Sequence, residues 1–232
     1  MREMLKIVGG TSNLAWRNIP MASASVGQRA TRIRENNMEE FPKFDIMQAR
    51  FSLYEAGINT PQGQKPAMQG TLKDVYDWMN SMNMMELTRE LRSIEDEKAQ
   101  KVFKAEKLPF VTFSGQFSYR NAQGLIQHSE LQCFDIDHLA NKEEVWRVRK
   151  LLEADEFFDT ELMFTSPRGN GVKWVTHIDL TRGTHEQWYA AIREHLRRAY
   201  GIEADPMPAN VASACFLCFD ANMIINPIIA PF

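Results

Sequence analysis

The stretch Leu131-Gln132-Cys133-Phe134-Asp135-Ile136-Asp137-His138 is an apolar run that ends in two acids spaced two residues apart. Side chains alternate faces along a strand. Leu131 to Ile136 (LQCFDI) therefore reads as a strand that sends Phe134 and Ile136 into a core and projects Asp135 and Asp137 together from the other face. Two carboxylates this close repel one another unless a cation lies between them. Hard divalent ions meet that need: Mg²⁺ keeps several waters and takes one or two protein carboxylates plus substrate phosphates. Two such metals about 3.5–4 Å apart stabilise both oxygens of an in-line phosphoryl displacement. Taken alone, D-x-D is a weak signal, because aspartates also end strands as turn residues or pair with a nearby Lys or Arg.

A second element lies downstream. Ser166-Pro167-Arg168-Gly169-Asn170-Gly171-Val172-Lys173 joins two expected strands with two glycines, a hydroxyl and two cations. Glycines let backbone N–H groups approach an anion closely, and Arg168 and Lys173 supply charge suited to a triphosphate. A basic hairpin turn would explain Asn and Gly, but it needs neither Ser166 nor a lysine at the start of an apolar strand, where Lys173 shares a face with Val175 and His177. A third carboxylate has two candidates. Asp205 follows a long helix at a position suited to a strand start, whereas Asp220 closes Cys215-Phe216-Leu217-Cys218-Phe219-Asp220 and equally suits a turn. Asp205 is preferred narrowly, with Asp220 as the alternative third ligand.

Around these motifs the chain alternates strands and helices. Expected elements are a strand over Gln48–Tyr54, a Gly/Pro/Gln loop over Gly57–Gly70, and a helix capped by Thr71 with Leu72, Val75, Tyr76 and Met79 on its apolar face. A second helix is expected over Met85–Lys104, and its mixed run Arg89, Glu90, Arg92, Glu95, Asp96, Glu97, Lys98 reads as a solvated face. Strands then fall at Leu108–Phe113, Leu131–Ile136, Glu161–Thr165, Val172–Ile178 and Cys215–Phe219, with helices at Lys142–Ala154 and Thr184–Tyr200. That order predicts an α+β or α/β sheet packed against helices. Residues 1–40 lack sustained periodicity and read as an N-terminal extension, with the domain occupying 41–232.

With a formal net charge of −3, the chain does not coat nucleic acid through bulk positive charge, so any such contact is patchy. No apolar stretch of about 18 residues and no secretory-type N-terminal run is present, which predicts a cytoplasmic protein without a membrane partner. Cys133, Cys215 and Cys218 are an odd set in apolar surroundings and suit reduced thiols. Cys215 and Cys218 have C-x-x-C spacing, but without a second pair and with opposite strand faces they do not make a zinc knuckle.

The ordered set Arg50-Phe51-Ser52-Leu53-Tyr54, Leu108-Pro109, Phe113-Ser114-Gly115-Gln116-Phe117, His128-Ser129, Asp135-Ile136-Asp137-His138-Leu139, the 166–173 loop, and Cys215-Phe216-Leu217 leading to Asn226-Pro227 resembles the VirE N-terminal-type domains. These are a branch of the archaeo-eukaryotic primase superfamily. The resemblance covers about residues 46–232. It implies an α+β, archaeo-eukaryotic primase-like catalytic core: an RRM-like antiparallel sheet plus a second small α/β unit. Asp135 and Asp137 would be its metal motif, and the nucleotide-phosphate loop would lie around Ser166 and Lys173. A third acid after the long helix also belongs to that pattern and adds weight to Asp205. Three departures stand out. Lys173 replaces a histidine found in many relatives, Ser213-Ala214 precedes Cys215 where relatives often carry an Arg, and Ser129-Glu130 replaces a Ser-Gly turn.

The function expected on these grounds is a metal-dependent DNA primase/polymerase-like nucleotidyltransferase, acting in DNA replication of a mobile element or phage. Asp135, Asp137 and Asp205 would hold Mg²⁺ or Mn²⁺. Ser166, Arg168, Gly169, Asn170, Gly171 and Lys173 would contact a nucleoside triphosphate, with Lys173 also serving catalysis. Single-stranded DNA is the expected template and a replicative helicase the partner the resemblance implies. Arg120, Lys142, Arg147, Arg149 and Lys150 are template candidates that read more simply as solubilising charges. Two alternatives stand. One is a catalytically weak nucleic-acid-binding or replication-initiation module working with a helicase. The other is a metal-dependent nuclease drawing on His128, His138, His177 or His185, which leaves the glycine loop unexplained.

Overall fold

The structure is a computed structural model that describes residues 44–230, so the expected extension over residues 1–40 lies outside it. In chain order the elements are β1 (Phe51–Tyr54), β2 (Met68–Gly70), α1 (Leu72–Met79), α2 (Met82–Ser93), α3 (Glu97–Lys107), β3 (Phe110–Thr112), β4 (Gly115–Phe117) and β5 (Leu125–His128). Then follow β6 (Leu131–Ile136), α4 (Lys142–Glu153), β7 (Leu162–Thr165), β8 (Val172–His177), α5 (His185–Tyr200), β9 (Cys215–Phe216) and β10 (Ile224–Ile225). Two four-stranded antiparallel sheets, ordered β2-β1-β3-β9 and β10-β7-β8-β6, make the chain an α+β fold, with β4 and β5 forming a separate hairpin.

The second sheet is covered on both faces, and the pleat of β6 decides how. Leu131 and Cys133 face the first sheet and pack with Phe51, Leu53, Val111 and Phe113, together with Leu162, Phe164 and Val175 of their own sheet. Phe134 and Ile136 point the other way, into a core closed by Val148 and Leu152 of α4 and by Tyr189, Ile192 and Leu196 of α5. Trp174, on β8 opposite Phe134, is fully buried there and donates its indole N–H to Thr160 Oγ1 at 2.8 Å. Burying each such side chain contributes about 1.5–3 kcal/mol, so both faces of the sheet are rigid supports for what lies at its end. The inter-sheet face of β6 therefore begins apolar and turns acidic at Asp135 and Asp137, where the strand leaves the core.

Several expected boundaries hold. The β6 strand has the predicted limits, and Thr71 and Thr184 close capping boxes at the starts of α1 and α5. The single helix expected over Met85–Lys104 is instead two helices. Asp96 accepts the Ala99 amide at 2.7 Å and starts α3 afresh, a capping carboxylate winning over continued helical periodicity. The strand expected from Gln48 begins at Phe51, because Asp45 caps a short 3₁₀ turn over Ile46–Gln48. The strand expected over Cys215–Phe219 pairs only at Cys215–Phe216. Among the described residues, no helix is long and apolar enough to cross a membrane.

Candidate functional site

Asp135 sits directly opposite Lys173 in the β6–β8 register, and its Oδ2 takes the Lys173 ammonium in a short ion pair. Its other oxygen, Oδ1, is buried and has no hydrogen-bond partner. Burial pushes the Asp135 carboxyl above its usual range. Lys173 opposes that, while Asp137 and Asp205 add to it. Burial alone would lower the Lys173 ammonium, but Asp135, Cys215 and Asp137 outweigh it and leave the lysine firmly charged.

Asp137 follows the strand end and lies against Gly171. A Cβ on that glycine would come within 2.5 Å of both Asp137 Oδ1 and the Ile136 carbonyl oxygen, so only glycine lets the loop reach the acids. The approach is fixed by the Leu139 amide, which donates to the Asn170 carbonyl at 3.0 Å.

Asp205 reaches the same place from α5. Its amide donates to the Asp135 carbonyl at 2.8 Å and so continues the edge of β6. That segment is held from behind, where Tyr189 donates its hydroxyl to the Asp205 carbonyl and Arg193 Nε donates to the Ala204 carbonyl at 2.8 Å. The Asp205 carboxylate, however, accepts the Met207 amide at 2.8 Å within its own turn. Asp220 is placed differently. Its Oδ2 accepts from Arg149 Nη1 at 2.8 Å and from the Thr165 amide at 2.7 Å, and its Oδ1 accepts from the Asn222 amide at 3.0 Å. Asp220 is thus engaged by a buried arginine and two backbone amides, apart from the Asp135–Lys173 pair.

The 166–171 loop is tight. The Ser166 amide donates to the Gly171 carbonyl and the Gly169 amide to the Ser166 carbonyl, both at 2.8 Å, with Gly169 at φ +86°. Ser166 Oγ and Asn170 Oδ1 are buried without partners, so two of the loop's polar atoms share the unsatisfied state of Asp135 Oδ1. From α2, Arg92 grips the loop, Nε donating to the Pro167 carbonyl at 3.0 Å and Nη2 to that of Ser166 at 3.3 Å. Arg92 is exposed, as the reading of a solvated face expects, and holds the loop in addition.

A further cation was missed. Lys104, in the last turn of α3, places its ammonium 5.1 Å from the centre of the Phe216 ring. Burial lowers its pKa, Lys173 and Arg168 lower it further, and Asp137 and Asp135 pull it back up. Lys104 thus feels both acids together with Lys173 and Arg168. The one signal available in sequence was its position: the last turn before β3 must lie near the sheet edge that β9 extends.

The template candidates are dispersed. Arg147 and Lys150 pair with Glu144 and Glu153 on the exposed face of α4. Arg149 is buried on Asp220, contrary to its reading as a solubilising charge, because its position on α4 turns inward. Arg120 donates to the Gly63 carbonyl at 3.1 Å and pins the loop before β2. Of the histidines, His128 Nε2 meets His185 Nδ1 at 3.1 Å, and His177 stacks on Phe44.

Among the described residues, no group of three or more His, Cys, Asp and Glu side chains is arranged to hold a metal. Two carboxylates with one orphaned oxygen still fit a hard divalent ion that completes its shell with water and phosphate. The family model described as BT4734-like, N-terminal domain matches residues 103–224. The chain belongs to this family. The BT4734-like match takes in Lys104, both acids, the loop and Asp205, and leaves Arg92 outside. No curated protein and no solved structure matches the chain.

Proposed function

We propose that this chain is a primase-polymerase-type nucleotidyltransferase related to the VirE N-terminal-type domains. In this reading it extends or initiates a strand on single-stranded DNA in replication of a mobile element or phage. The observation that carries the proposal is the combination at the end of β6: Asp135, with one buried oxygen unpartnered and Lys173 on the other, and Asp137, with Lys104 in the field of both acids. Acids that need a cation beside cations that need an anion are complementary to a metal–triphosphate. The order β6-α4-β7-β8-α5, with Asp205 continuing the free edge of β6, supports an RRM-like core, since it is the split βαβ arrangement of two antiparallel strand pairs backed by two helices.

Asp135 and Asp137 would hold Mg²⁺ or Mn²⁺, with Asp205 beside them. Such an ion supplies activation of a 3′-hydroxyl and stabilisation of departing pyrophosphate. The chain's own residues do the rest. The Gly169–Gly171 backbone, Ser166, Asn170 and Arg168 orient the triphosphate. Lys173 neutralises charge at the acids, Lys104 approaches from the β9 side, and Arg92 fixes the loop.

A second reading rests on a specific observation, the engagement of the Asp205 carboxylate by the Met207 amide within its own turn, beside an Asp135 already paired with Lys173. It is a catalytically weak nucleic-acid-binding module that works with a helicase. Primer-extension and de novo priming assays with labelled nucleotides and Mn²⁺ or Mg²⁺ decide between them, with Asp135→Ala/Asp137→Ala as the control. Incorporation lost in the double variant is the expected result. Binding of single-stranded DNA without incorporation by the parent transfers the case to the second reading, and metal-dependent degradation of the DNA indicates a nuclease.

A further inference from the structure

Two of the three thiols face each other across the sheets. Cys133, on β6, and Cys215, on β9, place their sulfurs 3.7 Å apart, and both are unoxidised. They line the same narrow cleft as Asp135, Lys173, Ser114 and Ser213. Cys133 is partly accessible while Cys215 is buried. Cys218 is different in its partner, donating its S–H to the Thr165 carbonyl at 3.2 Å.

Nothing in the proposed chemistry uses a thiol pair, and packing alone does not require sulfur at both positions. The geometry points to a reversible disulfide between Cys133 and Cys215 that staples the two sheets at the floor of the acidic cleft. Closing the contact from 3.7 Å to the about 2.05 Å of an S–S bond takes a small displacement of the two-residue strand β9, which is paired on one edge only.

The oxidant is a low-molecular-weight disulfide, met first by Cys133, the less buried of the two residues. Cys133 attacks one of its sulfurs, forming a mixed disulfide and releasing one small thiol. Cys215 then attacks the Cys133 sulfur, forming the protein disulfide and releasing the second small thiol. The two protons lost by the cysteines end on the two released thiols, and the two electrons reduce the oxidant.

Because β9 carries Phe216 beneath Lys104, and Cys133 lies two residues before Asp135, the bond narrows the cleft at the acids. Binding of a metal–nucleoside triphosphate is therefore expected to fall at least about tenfold on oxidation and to return with reductant. This last consequence rests on the proposed function.

The test incubates the full chain with oxidised glutathione, counts free thiols after denaturation, and maps the peptides by mass spectrometry. The expected result is a fall from three free thiols to one, a loss of two hydrogen masses, and a Cys133–Cys215 cross-link with Cys218 free. Cys215→Ser should stop at the mixed disulfide on Cys133, and Cys218→Ser should cross-link like the parent. Three remaining thiols, glutathione adducts alone, or a bond to Cys218 would overturn the assignment. Calorimetry with Mn²⁺ and a nucleoside triphosphate then separates the two ideas. Absence of binding by the reduced chain refutes the proposed function and leaves the cross-link standing, whereas unchanged binding by the cross-linked chain refutes its control of the site.

Discussion

Two acid–cation pairs border the second sheet, Lys173–Asp135 across its strands and Arg149–Asp220 beside β7, and they differ in how the carboxylate is satisfied. In Arg149–Asp220 both carboxylate oxygens accept N–H donors, and Arg149 also donates to the Asn222 carbonyl and lies against Trp146, with only its Nε left unpartnered on the cation side. In Lys173–Asp135 one oxygen takes the ammonium and the other has nothing, with Asp137 close enough to raise the carboxyl further. A buried pair whose carboxylate has donors on both oxygens is a structural device, and breaking it leaves a charge stranded. A pair with an orphaned oxygen at a cleft retains capacity for a ligand. The same two residue classes, acid and cation, thus separate into scaffold and site by counting hydrogen bonds.

Asp220→Ala should give the largest effect. Stranding Arg149 costs about 3–5 kcal/mol, read by denaturant unfolding, while the folded fraction keeps its nucleotide affinity. A loss below about 1 kcal/mol would collapse the distinction between the pairs. Gly171→Ala comes next, because its methyl would overlap Asp137 Oδ1 and the Ile136 carbonyl. It should cost about 1–3 kcal/mol and abolish Mn²⁺ binding measured by paramagnetic line broadening. Retained binding would show that the loop need not touch the acids.

Lys104→Met should weaken nucleoside triphosphate binding about tenfold, near 1.4 kcal/mol. Its thermal midpoint should be little altered, since only a partly exposed cation is removed. Unaltered affinity would remove Lys104 from the site.

The smallest effect concerns pH and a pair belonging to neither class. Burial and then His185 lower His128 to about 4, with Glu186 opposing, so the folded chain refuses a proton that the unfolded chain accepts near 6.5. Stability should therefore decline as pH falls from 6.5 towards 4, and His128→Asn should flatten that decline. An unchanged pH profile in the variant would place the acid sensitivity elsewhere, His185, likewise lowered by burial, being the next group to examine.

Much of the frame was legible because it is local. Alternation gave β6 its limits and put Phe134 and Ile136 on one face with Asp135 and Asp137 on the other, and the Thr71 cap marked α1. The loop glycines were also readable, although what Gly171 must avoid was not. The ambiguity between Asp205 and Asp220 could not be resolved from the chain alone. What separates them is a tertiary partner, Arg149, which lies 71 residues before Asp220 in the chain. Arg92 and Lys104 were hidden for a related reason: on an amphipathic helix a cation that grips a loop has the same spacing as one that faces water. Glu130 shows the converse. Its φ of +61° is a conformation that favours glycine, so the Ser129-Glu130 departure from a Ser-Gly turn keeps the turn and adds a contact between Glu130 and His177.

The most direct test is a calorimetric titration of Mn²⁺ with a nucleoside triphosphate into the parent and into Asp135→Asn/Asp137→Asn, each first shown to be folded by its unfolding transition. The account predicts saturable 1:1 binding by the parent that requires the metal, and loss of at least about a hundredfold in affinity, near 2.7 kcal/mol, in the double variant. Equal binding by both proteins, or none by the folded parent, would contradict it.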